Sequence, residues 1–253
     1  MMAIRITPAV KALMITMFGA FIVQQTADQF MGGNIRGIFA LIPYGFVNEL
    51  KVWQIFTYSF LHADVLHLFL NLLMLAFIGG EIEAMWGTRR FLTFYFFCVA
   101  AAGFVYLMLQ VFVWKEGLLH SPMVGASGGI YGLLMAYGLI FAERVLLFMM
   151  LFPMKAKHFI WILAGVEFMS TVFSGRGGLS SAAHLGGMVA GFGYLYARAA
   201  MSLAQKRRQA GLDWAGRKPV KKKKKAGHLR LVTPKPGASG DDEDESSNPK
   251  TWH

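Results

Sequence analysis

Two stretches 57 residues apart each place one reactive side chain among small residues: Gly125-Ala126-Ser127-Gly128-Gly129-Ile130-Tyr131-Gly132 and Ala183-His184-Leu185-Gly186-Gly187-Met188-Val189-Ala190-Gly191. A serine hydroxyl is a weak nucleophile until a neighbouring base takes its proton, and an imidazole is such a base near neutral pH. Each stretch heads a long apolar segment. The chemistry indicated is hydrolysis by an activated serine at a site below the surface of a bilayer.

Spacing brings the two residues together. His184, Gly187 and Gly191 fall at i, i+3 and i+7, so the face carrying the histidine continues as a glycine stripe. Gly128 and Gly132 form a matching small pair on the serine segment, and small faces let membrane helices approach closely. Ser127 and Tyr131 are i, i+4, as are His67 and Asn71, so each pair shares a helix face. The bland readings differ. Ser127 alone reads as a packing residue, whereas an ionisable group such as His184 in a membrane segment is a functional candidate by default. Their joint placement, with His67 and Asn71 as further donors, favours chemistry over packing.

Other chemistries fit less well. There is no His-Glu-x-x-His, and His62 and His67 are not on one helical face, so no metal and no cofactor are expected. No pair of intramembrane aspartates is present for acid–base work. Glu167 is an isolated acidic residue in its segment, and a hydrogen-bonded structural role is expected of it ahead of a gating or proton-path role. Gly125-Ala126-Ser127-Gly128-Gly129 also matches G-x-S-x-G, but that motif in soluble hydrolases needs a preceding strand, and none is indicated.

The elements that must position these residues are membrane helices. The chain has 253 residues, 55% hydrophobic and only 15% charged. Runs such as 91–114 and 118–141 suit a hydrocarbon core of roughly 30 Å. Six spans are expected, near 8–25, 58–78, 91–113, 127–150, 157–174 and 181–200, each helical because lipid cannot satisfy backbone polar groups. Arg5, Lys11, Arg89, Arg90, Arg144, Lys155, Lys157 and Arg198 fall on one side, which makes both termini cytoplasmic. His67, Ser127 and His184 then enter from the opposite face at similar depth. The first apolar stretch also resembles a signal peptide, but Gln24 to Ala27 make a poor cleavage site, so an uncleaved span is expected. Residues 26–57 read either as an interfacial, partly embedded loop or as an ordinary loop with a short amphipathic helix. The single cysteine, Cys98, leaves no intrachain disulfide.

Of the 25 Lys and Arg, 14 lie after residue 197, so the net charge of +11 is largely a property of the tail. From 204 to 253 a polar, disordered cytoplasmic tail is expected, with basic run Lys221–Lys225 and acidic run Asp241–Glu245. The basic run is read as a contact for anionic lipid headgroups in preference to nucleic acid.

Taken together, the residues resemble the rhomboid family of intramembrane serine proteases. The resemblance covers about 45–200 and rests on three motifs in order: His62 through His67 to Asn71, Gly125-Ala126-Ser127-Gly128, and His184 through Gly187 to Gly191. It implies a six-helix, all-α membrane bundle that cleaves transmembrane protein substrates within or beside a membrane segment. It implies Ser127 as nucleophile and His184 as base in a dyad without an acid. His67 and Asn71 would join the Ser127 N–H in stabilising the oxyanion. Tyr131 would pack on His184 in place of a carboxylate, Gly187 and Gly191 would set the helix approach, and Gly125 would free the chain before the serine. One departure is Trp53-Gln54 where the family often carries Trp-Arg, which bears on the loop more than on catalysis. A bacterial inner membrane is the expected location. Two rivals stay open: a non-proteolytic relative that binds membrane segments, and a small transporter using Glu167 and the histidines as a proton path.

Overall fold

A computed structural model describes residues 5–113, 119–148, 152–210 and 217. The chain divides into two compact units, Met1–Ala204 and Gln205–His253, and the site lies in the first. The lysine and acidic runs of the tail lie outside the described residues.

Among the described residues there are six long helices. They are α1 (Pro8–Phe30), α2 (Val65–Trp86), α3 (Thr88–Val113), α4 (Ser127–Ile140), α5 (Ala156–Phe173) and α6 (Leu179–Gln209). α1, α2, α3 and α5 are long and apolar enough to cross a membrane. α4 is apolar but has only 14 residues, about 21 Å at 1.5 Å per residue. These helices form a membrane bundle. α4 is its centre: ten of its residues are buried, among them Ile130, Leu133, Leu134 and Tyr137. α5 by contrast turns Trp161, Val166, Phe168 and Phe173 outward.

Polar residues fix the helix ends where the sequence offers no local cap. α1 starts at Pro8 without a side-chain cap of its own. Glu83 of α2 supplies one from 74 residues away, accepting from the Ala9 and Val10 N–H groups at 3.0 Å each and from the hydroxyls of Thr7 and Thr88. A carboxylate suits that position because the first N–H groups of a helix are unpaired and carry partial positive charge. At the far end of α1, the buried Gln24 amide exchanges two hydrogen bonds with the backbone of His62, at 2.8 and 3.2 Å. α2 has a local cap, Asp64, which accepts from the His67 N–H at 2.8 Å.

The connection between α1 and α2 folds into three short α-helices, Ile35–Phe39, Pro43–Asn48 and Gln54–Thr57, and a 3-10 turn, Tyr58–Phe60. Gln54, the departure noted above, is fully buried at its heart. Its amide accepts from Ile42 N–H at 3.1 Å and donates to Ile38 O at 3.2 Å, while the Trp53 indole donates to the same carbonyl at 2.9 Å. Phe39, Tyr44, Val47, Leu50 and Trp53 remain exposed.

The fourth helix ends earlier than its apolar run suggests. Instead of reaching residue 150 it stops at Ile140, and Val145–Phe148 (β1) pairs antiparallel with Phe152–Lys155 (β2). Glu143 precedes β1 and accepts hydrogen bonds from Lys155 and Lys157. These two bonds hold its exposed carboxyl down to about 2.

Candidate active site

Ser127 is the first residue of α4, and the chain that delivers it is tied down twice. Leu41 and Met123 exchange backbone hydrogen bonds of 3.1 and 2.9 Å, and the Gly125 N–H donates to Tyr58 O at 3.0 Å. Gly125 itself sits at φ +119°, a region that side chains with a Cβ rarely adopt. A Cβ there would also stand 2.7 Å from the His67 ring. The absent side chain therefore lets both the sharp turn and the His67 imidazole come next to the serine.

His184 lies in the second turn of α6, at the end of the bundle where α4 begins. Its Nε2 is 2.7 Å from Ser127 Oγ. Two glycines make that approach feasible. A Cβ at Gly187 would stand 2.1 Å from the Gly128 carbonyl oxygen, and one at Gly191 would stand 3.0 Å from that of Gly132. The two stripes meet as their spacing predicts, with a division of labour that spacing does not reveal. The Cα faces of Gly128 and Gly132 point at Ala102 and Cys98 of α3, and it is their carbonyl edges that receive α6.

The Tyr131 ring stacks on the His184 ring at 4.2 Å and 8°. The resemblance implied no acid at this site, but a carboxylate is present. Glu167 Oε1 lies 3.1 Å from His184 Nδ1, and the Tyr131 hydroxyl donates to the same oxygen. Glu167 is 8% exposed. Its depth could have signalled the contact. It lies six residues before the end of α5 and His184 five residues after the start of α6, about 9 and 8 Å along antiparallel neighbours at 1.5 Å per residue.

His67 and Asn71 come from α2. Asn71 is buried, and its amide donates to the His67 carbonyl at 2.7 Å. The fully buried His62 meets the His67 ring edge-on at 5.2 Å. A serine hydroxyl, an imidazole, a carboxylate and a second imidazole thus converge at one helix start, where the leading N–H groups lack intrahelical acceptors and favour negative charge.

Comparison with known proteins agrees with this architecture. The Rhomboid domain family matches residues 49–200. Rhomboid protease GlpG of Yersinia pseudotuberculosis serotype I (strain IP32953) is 26% identical over 151 residues, covering 59% of this chain and 49% of that protein. Rhomboid protein 1, mitochondrial, of Saccharomyces cerevisiae (strain ATCC 204508 / S288c) is 30% identical over 161 residues, covering 63% of this chain and 45% of that protein. The chain spans about half the length of the curated relatives it matches. With the family matching more than half of its residues, from the loop before α2 into α6, the chain belongs to the rhomboid family.

Proposed function

We propose that this chain is an intramembrane serine endopeptidase that cleaves membrane-protein substrates within or beside a transmembrane segment, with Ser127 and His184 as the catalytic pair. The observation that carries this reading is the 2.7 Å contact between Ser127 Oγ and His184 Nε2 across two glycine-lined helices. The Yersinia relatives are named as proteases, which supports it.

In the acylation step the Ser127 proton passes to His184 Nε2 as Oγ bonds to the scissile carbonyl carbon, whose oxygen becomes an oxyanion. In this reading the oxyanion accepts hydrogen bonds from the Ser127 N–H, His67 and Asn71. An asparagine amide has two hydrogens, and Asn71 gives one to the His67 carbonyl, which leaves the other for the oxyanion. The carbon–nitrogen bond then breaks, and the proton on Nε2 leaves with the amine. Water repeats the sequence, giving a proton to Nε2 and its oxygen to the acyl carbon; the bond from that carbon to Oγ then breaks, and Oγ takes the proton back from Nε2. Removing one oxyanion donor in such sites costs on the order of 10²–10³ in rate.

The substrate must unwind locally, since a helix in lipid hides its carbonyls in its own hydrogen bonds. We place the protein in a bacterial inner membrane with both termini cytoplasmic. Residues 204–253 form a cytoplasmic tail whose Lys221–Lys225 run contacts anionic lipid.

The test is labelling of the detergent-purified chain by a fluorophosphonate, beside Ser127→Ala and His184→Ala. Wild type is expected to label and both variants to lose labelling by at least about 10³-fold. A folded wild-type protein that fails to label would favour a non-proteolytic binder of membrane segments. Labelling that persists in Ser127→Ala would assign the nucleophile elsewhere.

A further inference from the structure

Glu167 is the odd residue of α5. That helix exposes most of its length, and its buried positions are Ala156, Ile160 and Glu167. A carboxylate withdrawn from water inside a membrane helix is costly unless it is paired. Two of its side-chain partners are in the site, His184 Nδ1 at 3.1 Å and the Tyr131 hydroxyl, and Ser181 of α6 is a third.

We propose that Glu167 is a positioning residue for His184, so that the site works as a Ser127–His184–Glu167 triad and not as a dyad. This inference rests on the serine-endopeptidase reading above. An ionised carboxylate can only accept hydrogen bonds. Nδ1, facing it, therefore carries the ring hydrogen, and Nε2 presents its lone pair to Ser127 Oγ at 2.7 Å. Without Glu167 the imidazole is free to take the other tautomer, whose Nε2–H cannot receive the serine proton. Once the proton has moved, the imidazolium lies beside a negative charge where screening is weak.

Tyr131 works on both members of the pair. Its ring stacks on His184 and its hydroxyl holds the carboxylate. Docking of α5 does not need the Nδ1 contact. Ser170 of α5 and Ser181 of α6 share a 2.9 Å hydrogen bond one turn away, and Tyr131 and Ser181 give the carboxylate partners other than the imidazole. The contact to Nδ1 is the one that base catalysis requires.

The closing experiment measures the fluorophosphonate labelling rate of full-length protein in detergent against pH, for wild type, Glu167→Gln, Glu167→Asp and Ser127→Ala. The groups facing His184 are Ser127 and Tyr131 from α4, Glu167 from α5 and, within electrostatic reach, His67 from α2. Only Glu167 is altered in charge by the glutamine variant. Glu167→Gln keeps the shape and a hydrogen-bonding amide. It is expected to lower the maximal rate by about 10⁴-fold, as loss of the orienting carboxylate does in serine hydrolases. The pH of half-maximal labelling should also move, because the variant removes the charge beside the base. Glu167→Asp keeps the charge and should retain the wild-type midpoint with part of the rate. If Glu167→Gln labels at the wild-type rate and midpoint, or melts earlier with an unchanged midpoint in its folded fraction, the triad is refuted and the dyad stands. If wild type does not label, or Ser127→Ala still does, the underlying reading falls and the triad with it.

Discussion

Gly125 concentrates several demands in one residue: a φ of +119°, an N–H given to Tyr58, and a Cα face against the His67 ring. Alanine there must adopt a strained backbone and stand 2.7 Å from His67, at a cost of about 1–3 kcal/mol. Gly125→Ala is expected to fold with a lowered melting temperature in detergent and to label far more slowly than wild type. Wild-type labelling by that variant would show that the turn tolerates a side chain and that His67 is not fixed by it. At this scale the sequence is legible where chemistry and spacing coincide. Ser127, His184 and their small neighbours lie within nine-residue windows, so their periodicity can be read directly. The partner of Glu167 is not legible in that way. It depends on the rotation of α5 against two other helices, which no local window contains. Gln54 is a similar case, because its acceptors and donors come from Ile42 and Ile38.

Between α4 and α6 the fit is backbone on backbone. With the Gly187 Cα face on the Gly128 carbonyl, a single methyl must push the helices apart and carry His184 away from Ser127. Gly187→Ala is expected to cost about 1–3 kcal/mol, as overpacking does, and to abolish labelling even where the protein still folds. Gly193, on the same helix, has nothing within 4 Å of a built Cβ. Gly193→Ala should therefore unfold at the same denaturant midpoint as wild type or slightly higher, since alanine favours helix by about 1 kcal/mol. Equal stability losses in the two variants would overturn the close-packing account. Most element positions follow from the apolar runs. The early end of α4 does not, because Val145, Leu146, Leu147 and Phe148 prolong the apolar signal beyond the helix. Only Val145 and Phe148 favour a strand there, and it is the antiparallel pairing with Phe152–Lys155, after the polar pair Glu143-Arg144, that holds the segment extended.

Over the whole molecule, orientation is the property on which the site's access depends. Cys98 is the sole cysteine and is fully buried, so the native chain is a blank for thiol labelling. Asn48 lies in the exposed loop between α1 and α2, and Arg89 is exposed at the start of α3. A membrane-impermeant maleimide added to intact bacterial cells should label Asn48→Cys and spare Arg89→Cys until the membrane is opened. The reverse pattern would invert the orientation proposed from the basic residues. The order of the helices has a further consequence, for biosynthesis. Chains emerge and fold N-terminus first, so the residues that hold the serine segment, Leu41 and Tyr58, are made before it. Ser127, Glu167 and His184 then arrive in turn on α4, α5 and α6. Until α6 enters the membrane the serine lacks the imidazole of His184, the ring that contacts its Oγ. On the proposed mechanism, a ribosome-bound chain is thus harmless to the nascent helices around it, and activity would be acquired only when the bundle is complete.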